Sequence, residues 1–244
     1  MMPPGGMVPL PGGAVGPVWT PMEAYSFAWK LVTKRFSQAS VPLVVGALVM
    51  SAILGVVYAA TILGPQMLVQ QGVVDGSLAL MLTYASIGGL SLIILIVQSY
   101  MMGGFITVAL KAVRGQPTAI GDVFSGGRFF VAFLVGNIVQ QILVGIGYVL
   151  CFVPGIILIL GLWAWGYLVV DQGMSAVDAL KKSWEMMKGH KMAMFVWGLL
   201  SICVYVAGEL ACVLPVLLIS LPMLITSSAW IYLRLKGEVV PEPT

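Results

Sequence analysis

Charge is scarce in this sequence. Of 244 residues, 9% are charged, 12 of them basic and 9 acidic, whereas 60% are hydrophobic and the mean hydropathy is +1.04. A soluble globular chain carries about 25% charged residues, and a domain of this size closes a core without so much apolar sequence. The surplus is therefore expected to face lipid. Histidine is nearly absent too, with His190 alone. The three cysteines (Cys151, Cys203, Cys212) lie in apolar stretches without metal-ligand spacing. That pattern argues against a metal cluster and leaves the cysteines as small packing residues. His190, among Lys188, Gly189 and Lys191, is expected at the membrane surface after a helix end. No glycine-rich loop precedes a lysine in phosphate-binding order, and no serine in the apolar runs has an identifiable base. No enzymatic activity, cofactor or metal is expected. A net charge of +3 is too small to argue for nucleic acid.

Residues 1–19 carry no Lys or Arg, and five prolines and five glycines interrupt Met1 to Val18. The pattern is not that of a signal peptide; it reads as a disordered Pro/Gly-rich tail. Beyond it, six segments reach the roughly 17–20 apolar residues that a helix needs to cross the hydrocarbon. They lie at about 41–63, 78–110, 129–150, 154–170, 192–212 and 215–233. The second sits in a run to Val113, longer than one crossing, so its helix is expected to tilt or to extend past the membrane. Two connections are tight and uncharged, one at Cys151-Phe152-Val153 before Pro154 and one around Val213 to Pro215.

Alternate connections then gather every basic residue on one side: Lys30, Lys34 and Arg35; Lys111, Arg114 and Arg128; Lys181, Lys182, Lys188 and Lys191; Arg234 and Lys236. The other side receives none, with only Asp75 and Glu209 at or near it. The positive-inside rule makes the basic side cytoplasmic. The expected fold class is all-α: a polytopic bundle of six transmembrane helices over residues 20–236, followed by a short C-terminal tail at 237–244. Both termini are expected in the cytoplasm of a bacterial inner membrane.

The bundle carries an internal repeat. Thr20-Pro21-Met22-Glu23 is a capping box with Pro at the first helical position. Its helix sets Tyr25, Trp29, Val32 and Phe36 on one face and Lys30, Thr33, Lys34 and Ser37 on the other. Ser175-Ala176-Val177-Asp178 is a second box. Its helix sets Val177, Leu180, Trp184 and Met187 against Lys181, Lys182, Glu185 and Lys188, and Gly189 is placed to end it. In both frames the Trp stands nine residues after the cap, and an Ala (Ala24, Ala179) stands four after. Thr118 to Phe124 is a shorter echo before the third span. The chain thus reads as three units, each an interfacial helix followed by a transmembrane hairpin.

A helix with Trp on its apolar face and Lys on its polar one suits the membrane–water interface. It serves either as an elbow orienting the next span or as a collar on anionic headgroups, each Lys or Arg near the surface contributing about 1 kcal/mol. Lys30, Lys34, Arg35, Lys181, Lys182, Lys188 and Lys191 are the candidate headgroup contacts; Trp29 and Trp184 are the candidate interface anchors.

Polar groups within spans are costly in lipid and often functional. Glu209 stands about 25 Å along its helix from Met192, near the outer interface, as an anchor or as a proton or cation site. Asn137, Gln140 and Gln141 cluster on the third span, with Gln98 on the second, and Asn137 shares a helical face with both neighbouring glutamines. They serve interhelical hydrogen bonds or line a polar path. Gly88, Gly89, Gly103, Gly104, Gly136, Gly145 and Gly147 are expected to let helices approach closely.

Three stretches together, Val153-Pro154-Gly155-Ile156, Tyr167 to Asp171, and Ala179-Leu180-Lys181-Lys182-Ser183-Trp184 with Lys188-Gly189-His190, carry a resemblance. They resemble a broad bacterial family of multi-pass membrane proteins of unknown function. That family is related to the membrane domain attached to some glycerophosphoryl diester phosphodiesterases. Its members often carry a Pro/Gly-rich tail and then an amphipathic helix with a Trp, as Ala24 to Lys34 does here. The resemblance implies a fold and a location and carries over no catalytic residue. The expected role is non-catalytic, in envelope or lipid organisation. Membrane lipids are the expected partners, alongside either self-assembly or a membrane-protein partner. The alternative is a small transporter or channel using Glu209 and the Asn137/Gln140/Gln141 cluster.

Overall fold

The computed structural model describes residues 7–9, 15–17, 19–211 and 216–243. Near the start, β1 (Met7–Pro9) and β2 (Val15–Pro17) pair antiparallel, Met7 opposite Pro17. Apart from that ribbon the described fold is all-α. Among the described residues six segments are long and apolar enough to cross a membrane: Phe36–Gln70, Gly76–Val113, Ile120–Leu150, Phe152–Gln172, Lys191–Gly208 and Leu218–Lys236. They coincide with the six apolar segments of the sequence. The turn expected around Val213 to Pro215 lies outside the described residues.

The first helix, α1 (Pro21–Lys34), opens with the expected box: the Glu23 N–H donates to the Thr20 hydroxyl at 3.3 Å, and the Thr20 N–H donates to the Glu23 carboxylate at 3.0 Å. Its buried stripe is Ala24, Tyr25, Ala28, Leu31 and Val32. The sequence pattern sets Trp29 and Phe36 on that face, whereas both lie beyond its edge, 51% and 41% exposed. Ala24 and Ala28 let α1 settle closely on the bundle and centre the stripe on themselves, leaving Trp29 at its edge, while Phe36 lies past the break at Arg35, where α1 has ended. A one-turn helix, α2 (Phe36–Ala39), then leads into α3 (Val41–Gln70).

The hairpin of α3 and α4 (Gly76–Val113) turns at Gly72, whose φ of 69° suits a residue without Cβ, and Asp75 caps α4 by accepting from the Leu78 N–H at 2.7 Å. At 1.5 Å per residue α3 is about 45 Å long and α4 about 57 Å. A one-turn helix, α5 (Ile120–Val123), and a 3-10 turn (Phe124–Phe129) cross the C-terminal half of α4 at backbone contact. A Cβ on Gly104 would lie 1.6 Å from the Val123 carbonyl oxygen, and one on Gly126 would lie 1.8 Å from that of Tyr100. Of the glycines expected at helix contacts, Gly103, Gly104, Gly136 and Gly147 are there; Gly88, Gly89 and Gly145 face open space.

The second hairpin is α6 (Phe130–Leu150) and α7 (Phe152–Leu162), joined by the single extended residue Cys151. The fourth span is not continuous. It breaks at Trp163-Ala164 and resumes as α8 (Trp165–Gln172). The cause is Ser183 of α9 (Ala176–Met186): its hydroxyl accepts from the Ala164 N–H and donates to the Gly161 carbonyl, both at 3.0 Å. A side chain inserted into the helical ladder is a recognised cause of a break. The last span pair is α10 (Lys191–Ala211) and α11 (Leu221–Lys236), the latter entered through a π-helical turn at Val216–Ser220. The α7–α8 segment and α11 are the most buried of the spans. They anchor a core that includes Phe133, Leu168, Met187, Met194, Ile231 and Tyr232.

Candidate functional site

At the basic end of the bundle, α9 lies across the α6–α7 hairpin. Ser175 caps it, its hydroxyl accepting from the Asp178 N–H at 3.3 Å, and Gly189, at φ 85°, follows its end. Leu180, Ser183 and Met187 turn inward while Lys181, Lys182, Glu185 and Lys188 are exposed. Val177, assigned by pattern to the apolar face, is 46% exposed. Trp184 seats over Gly161, where a Cβ would fall 2.3 Å from the indole, and the Lys191 ammonium stands 3.4 Å from the Trp184 ring centroid. Beneath Lys181 and Lys188 runs a groove of about 460 Å³, walled by Val139 and Leu143 of α6 and by Leu158 and Leu162 of α7. Among the described residues no acidic group pairs with Lys181, Lys182 or Lys188.

The candidate cations of α1 are engaged differently. Lys30 stands 3.9 Å from Glu242, Lys34 donates to the Pro243 carbonyl at 3.1 Å, and Arg35 to the Gly115 carbonyl at 3.5 Å. The C-terminal tail thus covers part of the first collar and leaves the second open. Packing of α1 into the bundle accounts for its other face: the Tyr25 and Ser201 hydroxyls share a 2.6 Å hydrogen bond, and Tyr25 stacks on Trp197 at 6.4 Å.

Deeper in, a cavity of about 420 Å³ opens between α4, α6, α7, α8, α10 and α11. Gln98, Asn137 and Gln140 all line it; Gln141 does not, and is exposed instead. The shared face inferred for Asn137 and Gln141 is therefore corrected: the helix turns Gln141 away from the bundle. The Trp165 indole donates to the Gln140 carbonyl at 2.6 Å, Asn137 to the Ser99 hydroxyl at 3.1 Å, and the Tyr167 and Ser228 hydroxyls share 2.6 Å. The side chain of Glu209 lies outside the described residues.

His190 is not a surface residue. It is 3% exposed and its Nδ1 has no partner among the described residues, and burial pushes the imidazole pKa down from 6.5. The short Met187–Lys191 link holds the His190 N–H on the Met187 carbonyl at 3.2 Å and starts α10 at once.

Sequence reasoning missed one polar cluster. The Asp171 carboxylate, 6% exposed, accepts from Arg114 at 2.7 Å, Lys236 at 2.7 Å and the Tyr232 hydroxyl at 2.9 Å. Arg114 also forms a two-pronged pair with Glu238 at 2.7 and 2.8 Å. The hydrogen bond from Arg114 holds the Glu238 pKa below 4.5, and the same bond raises that of Arg114. The cluster ties the ends of α4, α8 and α11 and the C-terminal tail together. Its signal was the Tyr167 to Asp171 stretch, where a carboxylate closes an apolar run.

No family model matches the chain, and no solved structure matches it. It is similar to uncharacterised mycobacterial proteins. A Mycobacterium bovis protein is 24% identical over 90% of this chain and 70% of its own length. Proteins of two Mycobacterium tuberculosis strains match with the same identity and coverage.

Proposed function

We propose that the chain is a non-catalytic multi-pass protein of a bacterial inner membrane, with both termini cytoplasmic, that acts in envelope or lipid organisation by gripping anionic headgroups. The observation that carries this is the α9 collar. Lys181, Lys182 and Lys188 are exposed without acidic partners among the described residues, and Lys181 and Lys188, with Glu185 between them, edge an apolar groove wide enough for acyl chains. Each cation near a negatively charged leaflet adds about 1 kcal/mol, and the groove adds buried apolar contact. The placement of all basic residues on one side of the six spans supports the cytoplasmic assignment. The resemblance to a family of multi-pass membrane proteins related to the membrane domain of glycerophosphoryl diester phosphodiesterases is in keeping with the membrane location.

The test is native mass spectrometry of the protein released from nanodiscs containing phosphatidylglycerol and phosphatidylcholine. Retention of phosphatidylglycerol is expected to fall several-fold when Lys181, Lys182, Lys188 and Lys191 are all replaced by Gln. Unchanged retention would remove the proposal. The second reading, a small transporter or channel, is favoured by the broken fourth span beside the polar cavity. Against it stands the cavity wall, which carries no charged side chain among the described residues.

A further inference from the structure

The intramembrane cavity is a separate site, sharing no wall residue with the α9 groove. Its volume of about 420 Å³ falls in the usual range of small-molecule pockets, roughly 300–1,000 Å³. Gln140 is the middle residue of α6, a helix about 31 Å long, so the polar part of the cavity sits near mid-membrane depth. A phosphate or ammonium group at that depth would be stripped of water with no counter-ion beside it. The occupant must be uncharged.

The hydrogen-bonding valences narrow it further. An indole N–H only donates, so the Trp165 bond fixes the Gln140 carbonyl as the acceptor and turns its Nε2 away. That nitrogen has two protons to give and no partner among the described residues. Asn137, one turn earlier, donates to Ser99 and keeps its Oδ1 as a free acceptor. A donor and an acceptor side by side on one helix face match a hydroxyl, which needs one of each. Gln98 of α4, also unpartnered among the described residues, lines the same cavity and supplies a further donor suited to an ester carbonyl. The remaining wall is aromatic and aliphatic, with Trp163, Tyr167 and Trp197 prominent. Gln98, Met102 and Ile159 are exposed as well as cavity-lining, so the mouth opens on the lipid-facing surface.

We propose that this cavity binds a neutral glycerolipid bearing a free hydroxyl next to an ester, the chemistry of a diacylglycerol. The hydroxyl oxygen accepts from Gln140 Nε2 and its proton goes to Asn137 Oδ1. The ester carbonyl is taken by Gln98, and one acyl chain leaves through the mouth beside Met102.

The probe is a diacylglycerol carrying a diazirine in one acyl chain, applied to the full chain in phosphatidylcholine nanodiscs. A phosphatidylglycerol with the same chains serves as comparator, and labelled peptides are read by mass spectrometry. The neutral probe is expected to label the α6, α8 and α11 walls, with labelling reduced at least five-fold in Gln140→Leu and Gln98→Leu. Gln98 is exposed and unpartnered, so Gln98→Leu reports on binding even if Gln140→Leu fails to fold. Lys181→Gln with Lys188→Gln should leave this labelling unchanged, which separates the cavity from the headgroup collar. Equal labelling of parent and Gln98→Leu, or equal labelling of these walls by phosphatidylglycerol, would overturn the assignment.

Discussion

Replacing Asp171 with Asn removes one charge and almost no volume from the basic end of the bundle. The carboxylate is 6% exposed and receives three donors within 2.9 Å. Breaking a buried ion pair from one side costs about 3–5 kcal/mol, against about 0–1 kcal/mol for an exposed pair. Arg114 and Lys236 are 24% and 34% exposed, and both keep Glu238 as a partner, which places Asp171→Asn at the low end, about 3 kcal/mol. A chain of this length loses about 2–4 °C of melting temperature per kcal/mol, so a drop of about 6–12 °C is expected. The assay is thermal unfolding in detergent micelles followed by tryptophan fluorescence, with Glu242→Gln as control, since Glu242 is 87% exposed. An Asp171→Asn protein melting within about 2 °C of the parent would show that the cluster is solvated and that its short distances carry little energy.

Four further outcomes follow from the same structure. Gly104→Ala drives a Cβ into the Val123 carbonyl and must push the two backbones apart, so folded yield and melting temperature should fall by the equivalent of about 3 kcal/mol or more, while Gly88→Ala, in open space, should be close to neutral. Because the folded His190 pKa lies below 6.5, the unfolded chain binds the proton first and stability drops as pH falls below that value. Melting at pH 7.5 and 5.5 should reveal that loss, and His190→Gln should reduce it. Glu238 has a folded pKa below 4.5, so its hold on Arg114 persists above that pH and is lost on further acidification, when proteolysis of the C-terminal tail should accelerate. Finally, in a cysteine-free background in intact cells, an impermeant maleimide should label Val73→Cys and spare Lys182→Cys; the reverse pattern would invert the proposed orientation.

The spans were legible because apolar length is a one-dimensional property, and the count of six needs no knowledge of packing. The caps at Thr20 and Ser175 were legible for the same reason, being local. What escaped is contact between distant segments. Arg114, Asp171 and Glu238 look in sequence like isolated charges at the ends of apolar runs, and only the meeting of α4, α8 and α11 makes them a cluster. Ser183 reads as one more small residue on α9, yet it splits the fourth span. The amides were partly legible: Gln98, Asn137 and Gln140 do meet, but a helical pattern alone did not turn Gln141 outward. His190, among Lys188, Gly189 and Lys191 after a helix end, reads as a surface residue, whereas α10 begins immediately and the imidazole is buried.

The length of the first hairpin has a mechanical consequence. Between Arg35 and Lys111 the only formal charge is Asp75, so the two rods are greasy from foot to tip. A rod of about 45 Å outreaches a slab of about 30 Å, so it must lean or stand out beyond the slab. A thicker slab stands it up and a thinner one lays it down. The foot of the second rod, α4, bears Lys111, pinned to Asp122 at 2.7 Å, and just beyond it Arg114, so every change of lean becomes leverage on those pins.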